Sequence, residues 1–354
     1  MKNLEKYLTL LDGEANGLLL TSRYSRYYGA EYDIAEGVAI VTKAGCRYFT
    51  DSRYIEPAQN NIKGFEVLEV TRANPYSKLI NDAIAEFGVT ALGYEEDYLT
   101  VAELRGYESK LTALLVPMND KINGFRSVKE PWELEYMRKA QEITDKAFAE
   151  VLTRYKAGMT EKDLQAELIY CLLKNGGDGL AFDPIVVSGP NTSVPHGVAG
   201  DRVIQPGDFI TMDFGATYKG YCSDMTRTVA VGYATEEMQK VYQTVLDAQL
   251  AGIAVTKAGV TGSQIDGAAR KVIADAGYGD YFGHGYGHSL GLEVHEAPNC
   301  SPAAQTVMQV NVVSSAEPGI YLPGKFGVRI EDVVIFTEDG CEDITASPKN
   351  LIII

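Results

Sequence analysis

The sequence predicts an N-terminal α/β domain joined to an α+β C-terminal domain with pseudo-twofold duplicated halves. Three observations carry that reading. A length of 354 residues exceeds what one core usually supports and suits two domains of roughly 100–200 residues each. In the first third, short β-rich runs alternate with helical stretches, as in an α/β layer. Farther on, Lys156-Ala157-Gly158-Met159-Thr160 recurs 101 residues later as Lys257-Ala258-Gly259-Val260-Thr261.

Taken in order, residues 1–11 read as an amphipathic helix with Lys2, Glu5 and Lys6 among leucines, lacking the apolar stretch of a secretion signal. Residues 17–21, 37–42, 46–50, 65–70 and 91–94 read as strands, and 74–87 as a helix. The stretch 116–129 mixes Pro117, Gly124 and both signs of charge, which places the boundary at Asn123 and the domains at 1–123 and 124–354. A long helix follows, in which Leu134, Met137, Ala140, Phe148, Val151 and Tyr155 share helical spacing. In each copy of the repeat a helix ends near Gly158 or Gly259, and a threonine then opens a second helix. The capping boxes are Thr160 with Asp163 and Thr261 with Gln264. Each copy continues through a glycine-rich turn, 175–179 or 276–279, into a strand-like segment carrying His196 or His295. Such halves would face each other across a cleft.

Thirty-two Lys and Arg against 48 Asp and Glu leave a net charge of −16, which repels nucleic acid and anionic membrane surfaces. Purely apolar runs such as 18–20 and 351–354 fall far short of the roughly 20 residues that span a bilayer. Five cysteines with no C-x-x-C pair suit free thiols in a reducing compartment. A soluble, cytoplasmic protein is expected.

All four histidines, His196, His284, His288 and His295, fall in the second domain, three of them within twelve residues. Asp213 lies in an apolar run that reads as a buried strand, where a lone carboxylate would be costly. The strand expected over 223–231 turns Asp224, Thr226 and Thr228 to one face, so Asp213 and Asp224 can meet across a hairpin. In the second half Glu317 precedes Pro318-Gly319, and Arg329 and Glu331 share one face of an expected strand. Four carboxylates in one cleft cannot all ionise without compensation, and two divalent cations would supply it. Oxygen donors with one nitrogen suit Mn²⁺, Co²⁺ or Fe²⁺, with Zn²⁺ as a further choice, and disfavour a thiolate zinc site.

The motifs Pro195-His196-Gly197, Met212-Asp213-Phe214-Gly215, Ser223-Asp224-Met225-Thr226, Gly287-His288-Ser289, His295-Glu296-Ala297-Pro298, Glu317-Pro318-Gly319 and Arg329-Ile330-Glu331-Asp332 together resemble the pita-bread (M24) metallopeptidases. The resemblance is to their Xaa-Pro aminopeptidase and prolidase branch, and Phe49-Thr50-Asp51-Ser52-Arg53-Tyr54 resembles that branch's N-terminal domain. It implies metal ligands Asp213, Asp224, His288, Glu317 and Glu331, with Asp224 and Glu331 shared by two ions, Mn²⁺ first in preference. It further implies that Glu317 shuttles a proton, that His196 and His295 hydrogen-bond substrate and intermediate, and that His284 and Arg329 line and position the substrate pocket. The substrate would be a proline-containing peptide, and the protein a homodimer.

Three other readings fit the residues less well. Gly287 to Gly291 matches the G-x-S-x-G nucleophile pattern around Ser289, but that fold orders its triad Ser, acid, His, and the only later histidine is His295, six residues on, with only Glu293 between. The glycines of 283–291 lack the lysine and spacing of a phosphate loop. A non-catalytic binding protein or a metal-free hydrolase would not keep five ligand positions. Between the two peptidase types, prolidases commonly carry Arg four residues after the histidine matching His295, and here Asn299 stands there. An Xaa-Pro aminopeptidase is therefore expected, with Xaa-Pro dipeptidase as the alternative.

Overall fold

The computed structural model describes residues 3–354; Met1 and Lys2, where the expected N-terminal helix begins, lie outside the described residues. Two compact units divide the chain, Met1–Arg126 and Ser127–Ile354. The division falls three residues beyond the expected boundary.

The first unit is built from strands β1 (Gly17–Leu20), β2 (Val38–Val41), β3 (Cys46–Asp51), β4 (Glu66–Val70), β5 (Ala91–Tyr94) and β6 (Leu114–Pro117). Its helices are α1 (Asn3–Leu8), α2 (Arg23–Ala30), α3 (Ile55–Asn61), α4 (Tyr76–Phe87), α5 (Val101–Glu108) and α6 (Asn119–Gly124). The strands form one sheet in the order β4-β3-β2-β1-β5-β6, antiparallel where β1 meets β2 and β2 meets β3, and parallel elsewhere. Every residue of β1 and β2 is buried, as expected of central strands covered on both faces. The edge strand β6 leaves Leu114 and Pro117 exposed, and this weak pattern hid it from the sequence reading.

The second unit holds two helix pairs, α7 (Pro131–Arg154) with α8 (Glu161–Lys174) and α9 (Glu236–Val255) with α10 (Gly262–Asp275). Its first-half strands are β7 (Gly179–Leu180), β8 (Ile185–Ser188), β9 (Phe209–Phe214), β10 (Ala216–Tyr218), β11 (Tyr221–Cys222) and β12 (Met225–Ala230). Those of the second half are β13 (Gly287–Ser289), β14 (Glu296–Cys300), β15 (Val313–Ala316), β16 (Gly319–Leu322), β17 (Phe326–Arg329), β18 (Asp332–Phe336) and β19 (Cys341–Asp343). The main sheets run β12-β9-β8 and β14-β13-β15-β18-β19. The halves match in detail: both capping boxes form, and each capping threonine bridges a later segment, Thr160 to Val203 and Thr261 to Val307. Ile143, Phe148, Leu168, Phe214 and Met225 belong to the core of the first half, and Val241, Ile265, Tyr286 and Val334 to that of the second.

Three local expectations are corrected. His196 sits in a loop after the short 3-10 turn Gly189–Ser193, because Pro190, Pro195 and two glycines cannot sustain a ladder, and His295 immediately precedes β14. Asp224 stands one residue before β12 instead of within a strand. Arg329 and Glu331 do not share a strand, since β17 ends at Arg329 and β18 begins at Asp332. At that break the chain leaves a two-stranded ribbon for the five-stranded sheet, and Glu331 N–H donates instead to the Thr226 carbonyl at 3.1 Å. No helix among the described residues is long and apolar enough to cross a membrane.

Candidate active site

Most of the carboxylates of the site stand where a ladder starts or stops. Asp213 lies near the end of β9, opposite Thr226 of β12, and Asp224 lies two residues before Thr226. Gly215 makes their approach feasible: a Cβ there would sit 1.9 Å from the Ser223 backbone oxygen. Glu317 occupies the step between β15 and β16, Glu331 the step between β17 and β18, and His288 the middle of β13. All five line one cavity of about 500 Å³, together with His196, His284, His295 and Arg329. The nine side chains expected to form the site thus line the same cavity.

His288 Nδ1–H donates to the Ser289 carbonyl at 3.2 Å, which leaves Nε2 facing Glu317 Oε1 at 3.2 Å and Asp224 Oδ2 at 3.7 Å. Ser315 Oγ donates to Glu317 Oε1 at 3.0 Å, and Thr226 Oγ1 donates to Glu331 Oε2 at 2.6 Å. Arg329 pairs with Asp213 Oδ2 at 2.5 Å and donates to the Tyr321 hydroxyl at 2.9 Å. His284 Nδ1–H bonds the Gly285 carbonyl at 2.8 Å, so its Nε2 accepts from Tyr321 at 2.9 Å. The His288 and His295 rings meet edge to face at 4.3 Å between centroids. His196 and His295 are exposed to the cavity.

Burial, and then the Asp213 charge beside it, pushes the Asp224 carboxyl well above its ordinary range. Burial, followed by Asp224 and Glu317, does the same to Glu331. Burial disfavours charge on both His288 and Glu317, but their mutual hydrogen bond outweighs it, raising His288 to about 9 and lowering Glu317 to about 2. Burial keeps His284 below the usual histidine value, and burial with the neighbouring His288 does so for His295.

The donor set fits a divalent cation. Asp224, His288 and Glu331 each offer a ligand atom, all within 4.8 Å of one another. Asp213 Oδ1 and Asp224 Oδ1 are buried with no hydrogen-bond partner, a condition native proteins rarely leave uncompensated. Tyr321, four residues after Glu317, has no role in the sequence reading. Phe182, Asp183, Ile185 and Val294 also line the cavity; Ile185 opens β8 while the other three lie in loops, where no local sequence pattern sets them apart.

Residues 135–338 match Metallopeptidase family M24, and residues 4–128 match the Creatinase/Prolidase N-terminal domain. The chain is 41% identical over 340 residues to the Bacillus subtilis "Uncharacterized peptidase YqhT", covering 96% of each. The solved structure "Xaa-Pro dipeptidase from Bacillus anthracis" superposes with a TM-score of 0.96 at 39% identity, covering 100% of this chain and 99% of that one. The X-Pro aminopeptidase from Thermotoga maritima does so with a TM-score of 0.93 at 36% identity, with 100% of both chains covered. Fold, site and relatives agree: the chain belongs to metallopeptidase family M24, in its Xaa-Pro peptidase branch, and is a hydrolase of peptide bonds.

Proposed function

We propose that this protein removes the N-terminal residue from peptides whose second residue is proline, using two divalent cations held by Asp213, Asp224, His288, Glu317 and Glu331. Mn²⁺ is the first candidate, and Asp224 and Glu331 would serve both ions. The observation that carries the reading is the convergence of these five side chains on one cavity with two partnerless carboxylate oxygens. When bound, such ions activate water and polarise the scissile carbonyl.

The remaining work falls to the chain's own groups. Glu317, oriented by Ser315, carries a proton to the leaving prolyl nitrogen. His196 and His295 donate hydrogen bonds to the carbonyl oxygen as charge builds on it. Arg329 holds Asp213 in place, and through Tyr321 it fixes the tautomer of His284 in the substrate pocket. Proline's missing N–H and locked φ exclude peptidases that grip an extended backbone, which gives such a site its purpose. A cytoplasmic location is supported by the five free cysteines, and the homodimer expected from the resemblance is checked by sedimentation.

Peptide length divides the two peptidase types. A dipeptide presents a carboxylate next to its proline, and burying it calls for a fixed cation. Among the described residues lining the cavity, Arg329 is the one arginine or lysine, and Asp213 already engages it. Asn299, at the wall where prolidases commonly place Arg, is neutral. These features favour longer peptides, while the name of the Bacillus anthracis relative favours dipeptides. Measuring kcat/KM on Ala-Pro and Ala-Pro-Ala decides between them: the tripeptide is expected to be the better substrate, and preference for the dipeptide makes the protein a prolidase.

A further inference from the structure

One buried carboxylate closes both ends of the loop that carries His196. Glu161, the first residue of α8, is fully buried. Its Oε1 accepts from Ser188 N at 2.7 Å, Ser188 Oγ at 2.8 Å and Asn191 Nδ2 at 3.0 Å, while Oε2 accepts from Gly200 N at 2.9 Å. Between these anchors Pro195 and His196 line the cavity. The His196 side chain is exposed and has no hydrogen-bond partner of its own among the described residues, so the loop backbone sets its position.

The helix start does not require this carboxylate. Thr160 and Asp163 already complete the capping box of α8, as Thr261 and Gln264 do for α10. In the second half the matching residue is Gly262, where a Cβ would stand 2.2 Å from the Asn299 backbone oxygen. There β14 packs directly on the helix start, whereas in the first half a charged side chain fills the gap and reaches across to the loop.

We propose that Glu161 is a positioning residue for His196, its charge shared among four donors so that the loop presents the imidazole at one place. This rests on His196 meeting the substrate, as read above. Hydrogen bonds to an ionised acceptor are roughly twice as strong as neutral ones, and a misplacement of about 1 Å can cost about 10²-fold in rate.

The test is Glu161→Gln in the metal-loaded enzyme assayed on Ala-Pro-Ala. The amide keeps the shape but loses the charge and turns a donor toward a donor. We expect kcat to fall about tenfold with KM nearly unchanged and metal content intact, and no further loss when the change is made in a His196→Ala background. Multiplicative effects of the two substitutions would show a general structural role and overturn the proposal, as would wild-type kcat in Glu161→Gln. If His196→Ala leaves kcat unchanged, the reading of His196 fails and the proposal falls with it; if His196→Ala is impaired and Glu161→Gln is not, the proposal alone fails. Asn191→Asp, which sets a second carboxylate against Oε1 from the loop side, gives the same readout should Glu161→Gln not fold.

Discussion

Asp224 and Glu331 would resist ionisation in a metal-free protein, because burial and their carboxylate neighbours raise both. His288, raised to about 9, would hold its proton at neutral pH. A cation displaces these protons, so titrating Mn²⁺ into chelator-treated protein at pH 7 should release protons. Calorimetry in buffers of different ionisation enthalpy reads that release directly, and buffer-independent heats would contradict it. Chelation should abolish peptidase activity and Mn²⁺ restore it, whereas Asp224→Ala and Glu331→Ala should stay inactive at any metal concentration. The exposed histidines should behave differently. His196→Ala and His295→Ala are expected to lose roughly 10²-fold in kcat with metal content unchanged, and metal loss in step with activity would make either one a ligand.

At the scale of elements, the two halves use the same local device. Each second helix begins at a threonine whose side chain accepts from the N3 backbone while the N3 side chain returns the bond. Thr160→Ala and Thr261→Ala should each cost about 1 kcal/mol in denaturant unfolding, and a much larger loss at one of them would show that its bridge to Val203 or Val307 matters more than its cap. These caps were legible because every group involved lies within three residues. The break between Arg329 and Glu331 was not, because the groups that engage Glu331 are Thr226 N-terminal to it by 105 positions and Arg227 beside it. Alternation along 328–333 describes an unbroken strand equally well.

Across the second unit, the segment after β19 is tied to the site by a buried ionic network. Arg227 donates to Asp332 Oδ1 at 2.7 Å, to the Glu331 carbonyl at 2.6 Å and to the Ser347 carbonyl at 2.8 Å, and Lys349 pairs with Asp332 and Asp343. Burial opposes ionisation of Asp332, yet Arg227 and Lys349 outweigh it and hold the carboxyl below its ordinary range. A depressed carboxyl stabilises the fold above the unfolded value, about 3.9, and that contribution is lost as pH falls toward the lower folded value. Asp332→Asn leaves two cations facing a neutral amide and should cost about 3–5 kcal/mol at pH 7. Below about pH 4 its stability should fall less steeply than that of the wild type, and parallel acid-unfolding curves would refute the assignment.

The duplication and nine of the polar side chains that line the cavity could be read along the chain, since caps, glycine turns and charged residues in apolar runs are local signals. Their partners could not. Tyr321 joins Arg329 to His284, Glu161 ties Ser188 to Gly200, and Thr226 receives Glu331, each across spans for which no sequence period exists. A buried polar atom must find its partner wherever the packed chain delivers one, and that delivery is settled by how strands and helices stack, which the residue pattern constrains only by face.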